Sequence, residues 1–207
     1  MVNIAVFISG SGTNLQAIID GIKHKKINGN IKLVFSNRKN AYGLTRAFNE
    51  GIDTFYLNKK NFMNNEEYDE RIIEELEKRN IDLIVLAGYL NILSKNIVSK
   101  YSNRIINIHP SLIPSFCGDG FYGENVHKAV INSGVKFTGA TTHFVDEDVD
   151  TGSIIMQDIV SVSINDNYDT LAKKVLDIEH KILVNTVKAF CENKIIFDKN
   201  RAFIMEE

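Results

Sequence analysis

The chain has 207 residues, of which 44% are hydrophobic and 24% charged, and its formal net charge is −2 at pH 7. These values are typical of a globular protein, and the balanced charge argues against a nucleic-acid-binding protein, which usually carries a basic surplus. Two cysteines, Cys117 and Cys191, are too few for a disulfide framework or a four-ligand zinc site.

The N-terminus has no charged segment followed by an apolar one, as an export signal would have. No apolar run approaches the ~18 residues of a membrane span. We therefore expect a cytoplasmic protein with no membrane or nucleic-acid partner. Neither a repeat nor a linker interrupts the sequence, so we predict one domain over residues 1–207. The even charge fits a monomer or a small homo-oligomer.

Apolar runs alternate with amphipathic segments over the first half of the chain. An unbroken apolar run is typical of a parallel strand covered on both faces. The pattern predicts strands at residues 4–8, 31–35, 54–57, 83–87 and 105–108, and helices at 14–22, 42–49 and 66–78.

The pattern changes in the second half. Alternating runs at residues 137–145 and 154–162 predict an antiparallel pair, and a long helix at 167–191 precedes a short hairpin within 195–204. The predicted fold class is α/β and Rossmann-like, with a mostly parallel central sheet, an antiparallel edge and helices on both faces.

The first predicted strand ends in a glycine-rich turn, Ser9-Gly10-Ser11-Gly12-Thr13-Asn14, before a helix. Free N–H groups at a helix start favour a phosphate, although a plain glycine turn is the alternative. Leu15 replaces the third glycine of the dinucleotide fingerprint, no acidic residue follows the second strand, and no Walker lysine is present. A small phosphomonoester therefore fits better than NAD or ATP.

A second segment, Asn107-Ile108-His109-Pro110-Ser111, ends a predicted strand. Asn107 and His109 are two residues apart, so their side chains leave the same face. An amide donor beside an imidazole can bind and protonate a developing oxyanion. A purely structural turn is the alternative interpretation.

An acidic segment, Asp146-Glu147-Asp148-Val149-Asp150-Thr151-Gly152, follows the next strand. A calcium loop of the EF-hand type is excluded because Thr151 and Gln157 stand where a glycine and a glutamate are required. An acidic solvated turn remains possible. A carboxylate that reaches His109 would instead raise the histidine's pKa and keep it cationic near neutral pH.

Together these segments resemble the phosphoribosylglycinamide formyltransferases, folate-dependent enzymes of purine synthesis. The similarity runs in order to about residue 190. The motifs that carry it are Ser9-Gly10-Ser11-Gly12-Thr13-Asn14-Leu15-Gln16, Ala87-Gly88-Tyr89-Leu90, Asn107-Ile108-His109-Pro110-Ser111-Leu112, Thr138-Gly139-Ala140-Thr141-Thr142-His143-Phe144-Val145 and Asp150-Thr151-Gly152.

The resemblance implies that 10-formyltetrahydrofolate, as cosubstrate, gives its formyl group to the amine of 5-phosphoribosylglycinamide. The amine attacks directly, through a tetrahedral oxyanion and without a metal. Asn107 and His109 would hydrogen-bond the formyl oxygen, and Asp150 would keep His109 protonated and help to relay a proton.

The resemblance also implies binding residues for both substrates. Gly12, Thr13 and Asn14 would hold the substrate phosphate, and Glu179 would contact the ribonucleotide. The folate would lie against Leu90, Asn91, Ile92, Leu93 and Asn107.

The sequence departs from many relatives where the folate binds. Asn91 and Asn65 stand at or near positions that usually hold arginines, so the affinity for the folate glutamate tail is in doubt. Lys59 or Lys60 could substitute there as a point charge, but not as a bidentate fork. The glycine-rich segment 116–123 is longer than usual, and we expect a flexible loop near the site.

Two other functions remain open at this point. A related folate enzyme could hydrolyse formyltetrahydrofolate or formylate methionyl-tRNA, and a non-catalytic module could bind a sugar phosphate on the same scaffold. We assign no role to Cys117, which lacks a partner at motif spacing, and leave that of His143 open between site and strand core.

Overall fold

The computed structural model describes residues 1–205. The chain folds as two compact units, Met1–Ile106 and Asn107–Glu207. The expectation of one domain over the whole chain stays a prediction.

The first unit is built on parallel strands. They pair in the order β3-β2-β1-β4, and β4 is followed in the sheet by the first residues of a further strand, β5. Residues 4–8 of β1 are fully buried, as expected for an apolar strand covered on both faces. The bounds are β1 (Val2–Ile8), β2 (Gly29–Ser36), β3 (Thr54–Tyr56), β4 (Leu83–Leu86) and β5 (Ile105–His109).

Four helices accompany these strands: α1 (Thr13–Lys23), α2 (Tyr42–Asn49), α3 (Asn65–Lys78) and α4 (Lys95–Lys100), and a 3₁₀ turn spans Lys59–Asn61. The first three match the predicted helices. The sequence pattern did not predict α4, a helix of six residues capped by the Ser94 side chain. Its apolar signal is only the buried pair Ile97 and Val98, which is too short to show a helical period.

The second unit begins within β5 and contains an antiparallel pair. Strand β6 (Phe137–Phe144) pairs with β7 (Ile154–Ser161), as predicted. Helix α5 (Glu124–Ser133), which the sequence pattern did not predict, precedes them, and α6 (Tyr168–Cys191) follows. Strand β8 (Ile195–Asp198) pairs antiparallel with β9 (Arg201–Ile204), which confirms the hairpin predicted within residues 195–204.

One hydrogen bond fixes α6 on β6. The hydroxyl oxygens of Thr142 and Thr186 lie 2.7 Å apart, and both residues are fully buried. Buried hydroxyls need such partners because water cannot reach them. This contact joins α6 to β6, the strand that also carries His143.

We expect either single substitution, Thr142→Val or Thr186→Val, to lower the free energy of unfolding by about 1–2 kcal/mol, because each leaves one buried hydroxyl without this partner. The double variant should lose less than the sum of the two single losses. Urea denaturation of the four proteins measures this difference. Strict additivity would show that the two hydroxyls do not depend on each other.

Candidate functional site

The glycine-rich turn after β1 needs glycine at one position in particular. Gly12 has a left-handed backbone (φ 71°, ψ 32°), and a Cβ there would lie 2.6 Å from the Cα of Gly43 in α2. Both the conformation and the close approach therefore exclude a larger residue. The turn brings the chain directly into α1.

The start of α1 has the features of an anion site. No side chain caps it, and its first turn holds no acidic residue. The N–H groups of the first helical turn and the helix dipole favour a negative charge there. Gly12, Thr13 and Asn14 lie at this helix start, so the structure brings together the three residues expected to hold a phosphate. Their role stays a prediction.

The segment expected to hold the folate ring follows β4 in the same unit. The Ser9 hydroxyl accepts a hydrogen bond from the Leu90 N–H at 2.9 Å, and the Ser9 N–H donates to the Gly88 carbonyl at 3.0 Å. These bonds tie the segment to the turn after β1. Leu90 and Ile92 are 43% and 70% exposed, and such apolar surface is suited to a flat ring.

The remaining folate positions are open to solvent. Asn91 is exposed and Leu93 half-buried. Asn65 is the first residue of α3 and is exposed, and so are Lys59 and Lys60, with the Lys59 ammonium 6.0 Å from the Tyr68 ring centre. The expectation that Lys59 or Lys60 substitutes for the arginine as a point charge, but not as a bidentate fork, stays a prediction.

The second unit brings the expected catalytic residues together. The Nδ1 atom of His109 lies 3.5 Å from an Asp150 carboxylate oxygen, and its Nε2 atom lies 2.9 Å from the Phe116 carbonyl oxygen. Asn107 and His109 end β5. His109 and Asp150 have almost fully buried side chains. A carboxylate does reach His109, as the sequence suggested.

The direction of the pKa shift of His109 corrects an expectation. Burial lowers the pKa of His109 below its usual value, while the Asp150 charge and the Phe116 carbonyl oppose this fall. The expected rise in pKa is therefore wrong in its net direction, because removing the imidazolium from water outweighs the carboxylate. Asp150 nevertheless raises the pKa relative to what burial alone would give.

Asp150 stays ionised in spite of its burial. Burial alone would raise its pKa, but the His143 ring, the Gly118 N–H and the charge of His109 together lower it. The Gly118 N–H donates to Asp150 Oδ2 at 2.9 Å, and His143 Nε2 lies 3.5 Å from Oδ1. The Gly118 N–H thus donates to the carboxylate, and the rings of His109 and His143 lie beside it.

His143 lies in contact with this group, and its role stays a prediction. Its Nδ1 atom lies 2.8 Å from the Phe144 carbonyl oxygen and must donate to it, since a carbonyl oxygen only accepts. In the neutral ring Nε2 then accepts from the Asn107 Nδ2–H group at 3.1 Å, and only a protonated Nε2 could donate to Asp150 instead. His143 therefore orients the Asn107 amide, an arrangement that only the pairing of distant strands could reveal.

Residues that the sequence analysis did not single out hold the turn after His109. The Thr141 hydroxyl donates to the Ser111 carbonyl at 2.6 Å and accepts from the Ile113 N–H at 3.1 Å. The Gln157 amide donates to the Ile113 carbonyl and to the Thr141 hydroxyl. Thr141 lies within a motif quoted above, but its hydrogen bonds join elements that are far apart in the sequence, so no local sequence pattern indicates them.

The other candidates are placed as follows. Glu179 lies on the buried side of α6, four residues from both Val175 and Leu183. Cys117 is half-buried in the segment after Phe116, where burial raises the pKa of its thiol, so the structure gives it no nucleophilic character. Among the described residues, 1–205, no group of three His, Cys, Asp or Glu side chains is arranged to hold a metal.

A sequence model of the formyl transferase family matches residues 2–187. The chain belongs to this family. It is 39% identical to the phosphoribosylglycinamide formyltransferase of Escherichia coli (strain K12) over 202 residues, which are 98% of this chain and 93% of that protein. It is 40% identical to the chloroplastic phosphoribosylglycinamide formyltransferase of Arabidopsis thaliana over 93% of this chain and 66% of that protein, so it spans just under two thirds of the plant relative.

A solved structure supports the same relationship. Glycinamide ribonucleotide transformylase 1 from Symbiobacterium toebii matches with a TM-score of 0.94 and 37% identity, over 100% of this chain and 95% of the other. The likeness confirms the predicted fold class, a mostly parallel sheet with antiparallel strands and helices on both sides. The family resemblance is confirmed as well. Within residues 1–205, no helix is long and apolar enough to cross a membrane.

The structure explains the glycine of the motif Asp150-Thr151-Gly152. A Cβ on Gly152 would overlap the Phe144 carbonyl oxygen, so only glycine lets this segment approach the end of β6. The Phe144 N–H also donates to the Ser153 carbonyl at 2.9 Å. This close approach sets Asp150 against His109 and His143.

We expect Gly152→Ala to lower turnover at least tenfold, because the added methyl group displaces Asp150 from His109, and small misplacements cost large factors in rate. Turnover and thermal unfolding of the variant measure the effect. Gly134→Ala controls for general destabilisation: Gly134 lies in the same unit and its left-handed backbone (φ 71°) strains an alanine, but its Cβ would meet no atom within 4 Å. Equal loss of turnover in both variants would contradict the explanation.

Proposed function

We propose that the protein transfers the formyl group of 10-formyltetrahydrofolate to the amine of 5-phosphoribosylglycinamide. The observation that carries this proposal is the buried group formed by Asn107, His109, His143 and Asp150 in a chain of the formyl transferase family. The group offers hydrogen-bond donors for an oxyanion and a carboxylate for a proton. The relatives named above support the choice of substrates.

The reaction needs no covalent enzyme intermediate. The amine nitrogen attacks the formyl carbon, and the formyl oxygen becomes an oxyanion in a tetrahedral adduct. The bond from the formyl carbon to the folate nitrogen then breaks, and its electron pair leaves on that nitrogen, which takes up a proton. The amine nitrogen loses a proton and becomes the amide of the product.

Asn107 and His109 supply the donors for the oxyanion. One Asn107 N–H is directed at His143, so the amide keeps its second N–H for the formyl oxygen. The Nε2 atom of His109 faces the Phe116 carbonyl. The formyl oxygen must take the place of that carbonyl, or approach the ring beside it, in order to accept from Nε2. Donors fixed before the reaction are the main source of oxyanion stabilisation.

Asp150 acts on the proton. Its charge keeps the pKa of His109 higher than burial alone would leave it, so a larger fraction of the imidazole is protonated at a given pH. The carboxylate also accepts from the Gly118 N–H, which holds it in place. It can therefore receive, through His109 or directly, the proton that the attacking amine loses.

The binding roles complete the proposal. Gly12, Thr13 and Asn14 bind the ribonucleotide phosphate, and Glu179 contacts the rest of the ribonucleotide. Leu90, Asn91, Ile92, Leu93 and Asn107 bind the folate. We expect the enzyme to act in the cytoplasm without a metal, a membrane or a nucleic acid, as a monomer or small homo-oligomer.

An assay of tetrahydrofolate release from 10-formyltetrahydrofolate, with and without phosphoribosylglycinamide, tests the reaction. We expect release only with the ribonucleotide, and a fall in kcat of ~10²–10³ in Asn107→Ala and in His109→Ala, as is typical of lost oxyanion donors. His24→Ala, an exposed histidine bonded to the Asp20 carbonyl, is the control.

Other outcomes of this assay indicate other functions. Release without the ribonucleotide would indicate a formyltetrahydrofolate hydrolase. If methionyl-tRNA supplied in its place received the formyl group, the acceptor would be the tRNA. Binding of the ribonucleotide without release would indicate a sugar-phosphate module. Near-normal kcat in His109→Ala would remove that residue from the mechanism.

We expect Asp150→Asn to lower the rate at neutral pH by ~10²-fold, the lower end of the range for proton transfer by a side chain. Burial already lowers the pKa of His109, and removing the Asp150 charge lowers it further. The protonated fraction then falls at each pH, so the descending limb of kcat/KM that reports His109 moves to lower pH. The pH–rate profiles of both proteins measure this. An unchanged profile would contradict the role given to Asp150.

A further inference from the structure

Arg46, in α2, contacts the turn after β1 from a helix that has no role in the proposed mechanism. Its Nε–H donates to the Ser11 carbonyl at 2.9 Å, and its Nη1–H donates to the Gln16 side chain in α1 at 3.1 Å. The guanidinium lies 5.0 Å from the Tyr42 ring centre. Arg46 therefore joins the turn, α1 and α2.

Helix α2 holds two successive carbonyl groups of the turn. The Gly10 carbonyl accepts from the Gly43 N–H at 3.1 Å, and the Ser11 carbonyl accepts from Arg46. In a planar trans peptide, the C=O of one residue and the N–H of the next point in opposite directions. The N–H groups of Ser11 and Gly12 are therefore directed away from α2.

These two N–H groups precede the uncapped start of α1, which directs further N–H groups outward. Consecutive main-chain donors of this kind form a concave anion site. Without the hydrogen bond from Arg46 to the Ser11 carbonyl, the peptide group between Ser11 and Gly12 could rotate and direct its carbonyl oxygen toward the anion site. That change would replace a donor by an acceptor and repel a phosphate.

We propose that Arg46 is a positioning residue for the ribonucleotide phosphate, acting through the main chain of the turn. This inference rests on the proposed function for its substrate. Arg46 binds the carbonyl side of the turn, opposite the N–H groups, so it directs the donors without touching the phosphate. Its two bonds require the fork of a guanidinium, since one lysine ammonium lacks that rigid geometry.

The test compares steady-state kinetics of Arg46→Met and Arg46→Lys with those of the unchanged protein. We expect the KM for phosphoribosylglycinamide to rise roughly tenfold in Arg46→Met, the loss typical of one hydrogen bond with a charged partner. The KM for 10-formyltetrahydrofolate and the kcat at saturation should change less than about twofold, because the reacting atoms are not affected. Arg46→Lys should fall between the two.

Arg104→Met is the matched control. Arg104 lies in the same unit, 4.8 Å from the Tyr101 ring centre, and donates to the Lys100 carbonyl, so it has the same kinds of contact without the turn. We expect its kinetics to be unchanged. An unchanged KM for the ribonucleotide in Arg46→Met, or an equal change for both substrates, would overturn the proposal.

A binding measurement separates this inference from the proposed function. Titration with inorganic phosphate, followed by the amide signals of Ser11, Gly12 and Thr13 in NMR, needs no turnover. We expect shifts in the unchanged protein that require roughly tenfold more phosphate in Arg46→Met. This result would support the role of Arg46 even if the protein did not formylate phosphoribosylglycinamide, and identical titrations would overturn it.

Discussion

The contact between the buried imidazole of His109 and the carboxylate of Asp150 is the interaction on which the second unit depends. Burial opposes the charged form of His109, and the carboxylate opposes that effect. The surrounding structure maintains this balance: Gly152 permits the approach of the acidic segment, Gly118 holds the carboxylate, and His143 contacts it on the far side. The proton-transfer role proposed for His109 requires a pKa near the operating pH, which depends on both of these opposing effects.

The role proposed for the first unit is different, because binding a phosphate there requires main-chain donors and not a side chain with a shifted pKa. Its buried parallel strands end in turns whose conformation is set by neighbouring elements, as α2 sets the turn after β1. Ser9 links that turn to the segment after β4. A rigid sheet thus supports segments that lack regular structure, the kind of segment that binds ligands in other α/β proteins.

The sequence predicted the strands, the longer helices and the residues now found around His109, because these depend on local signals. Apolar runs indicate buried strands, and a spacing of two places Asn107 and His109 on one face. The sequence pattern did not predict α5, although its buried residues Val126, His127 and Val130 have a helical spacing. The glycines just before this helix and Asn125 within it favour a loop, and they made the helical signal weak. The roles of His143, Thr141 and Gln157 depend on pairing between distant strands, and the direction of the pKa shift of His109 depends on burial, which the sequence does not record.

The close approach of Gly12 and Gly43 limits how the turn after β1, which we propose binds phosphate, could be transferred to another protein. A Cβ on Gly12 would reach the main chain of Gly43, and a Cβ on Gly43 would overlap the Ile8 side chain and lie 3.2 Å from Gly12 Cα. The two positions are therefore constrained as a pair, although they are distant in the sequence. A protein designer who grafted residues 9–14 onto another sheet would have to transfer α2 with them, since the peptide alone does not encode its own conformation.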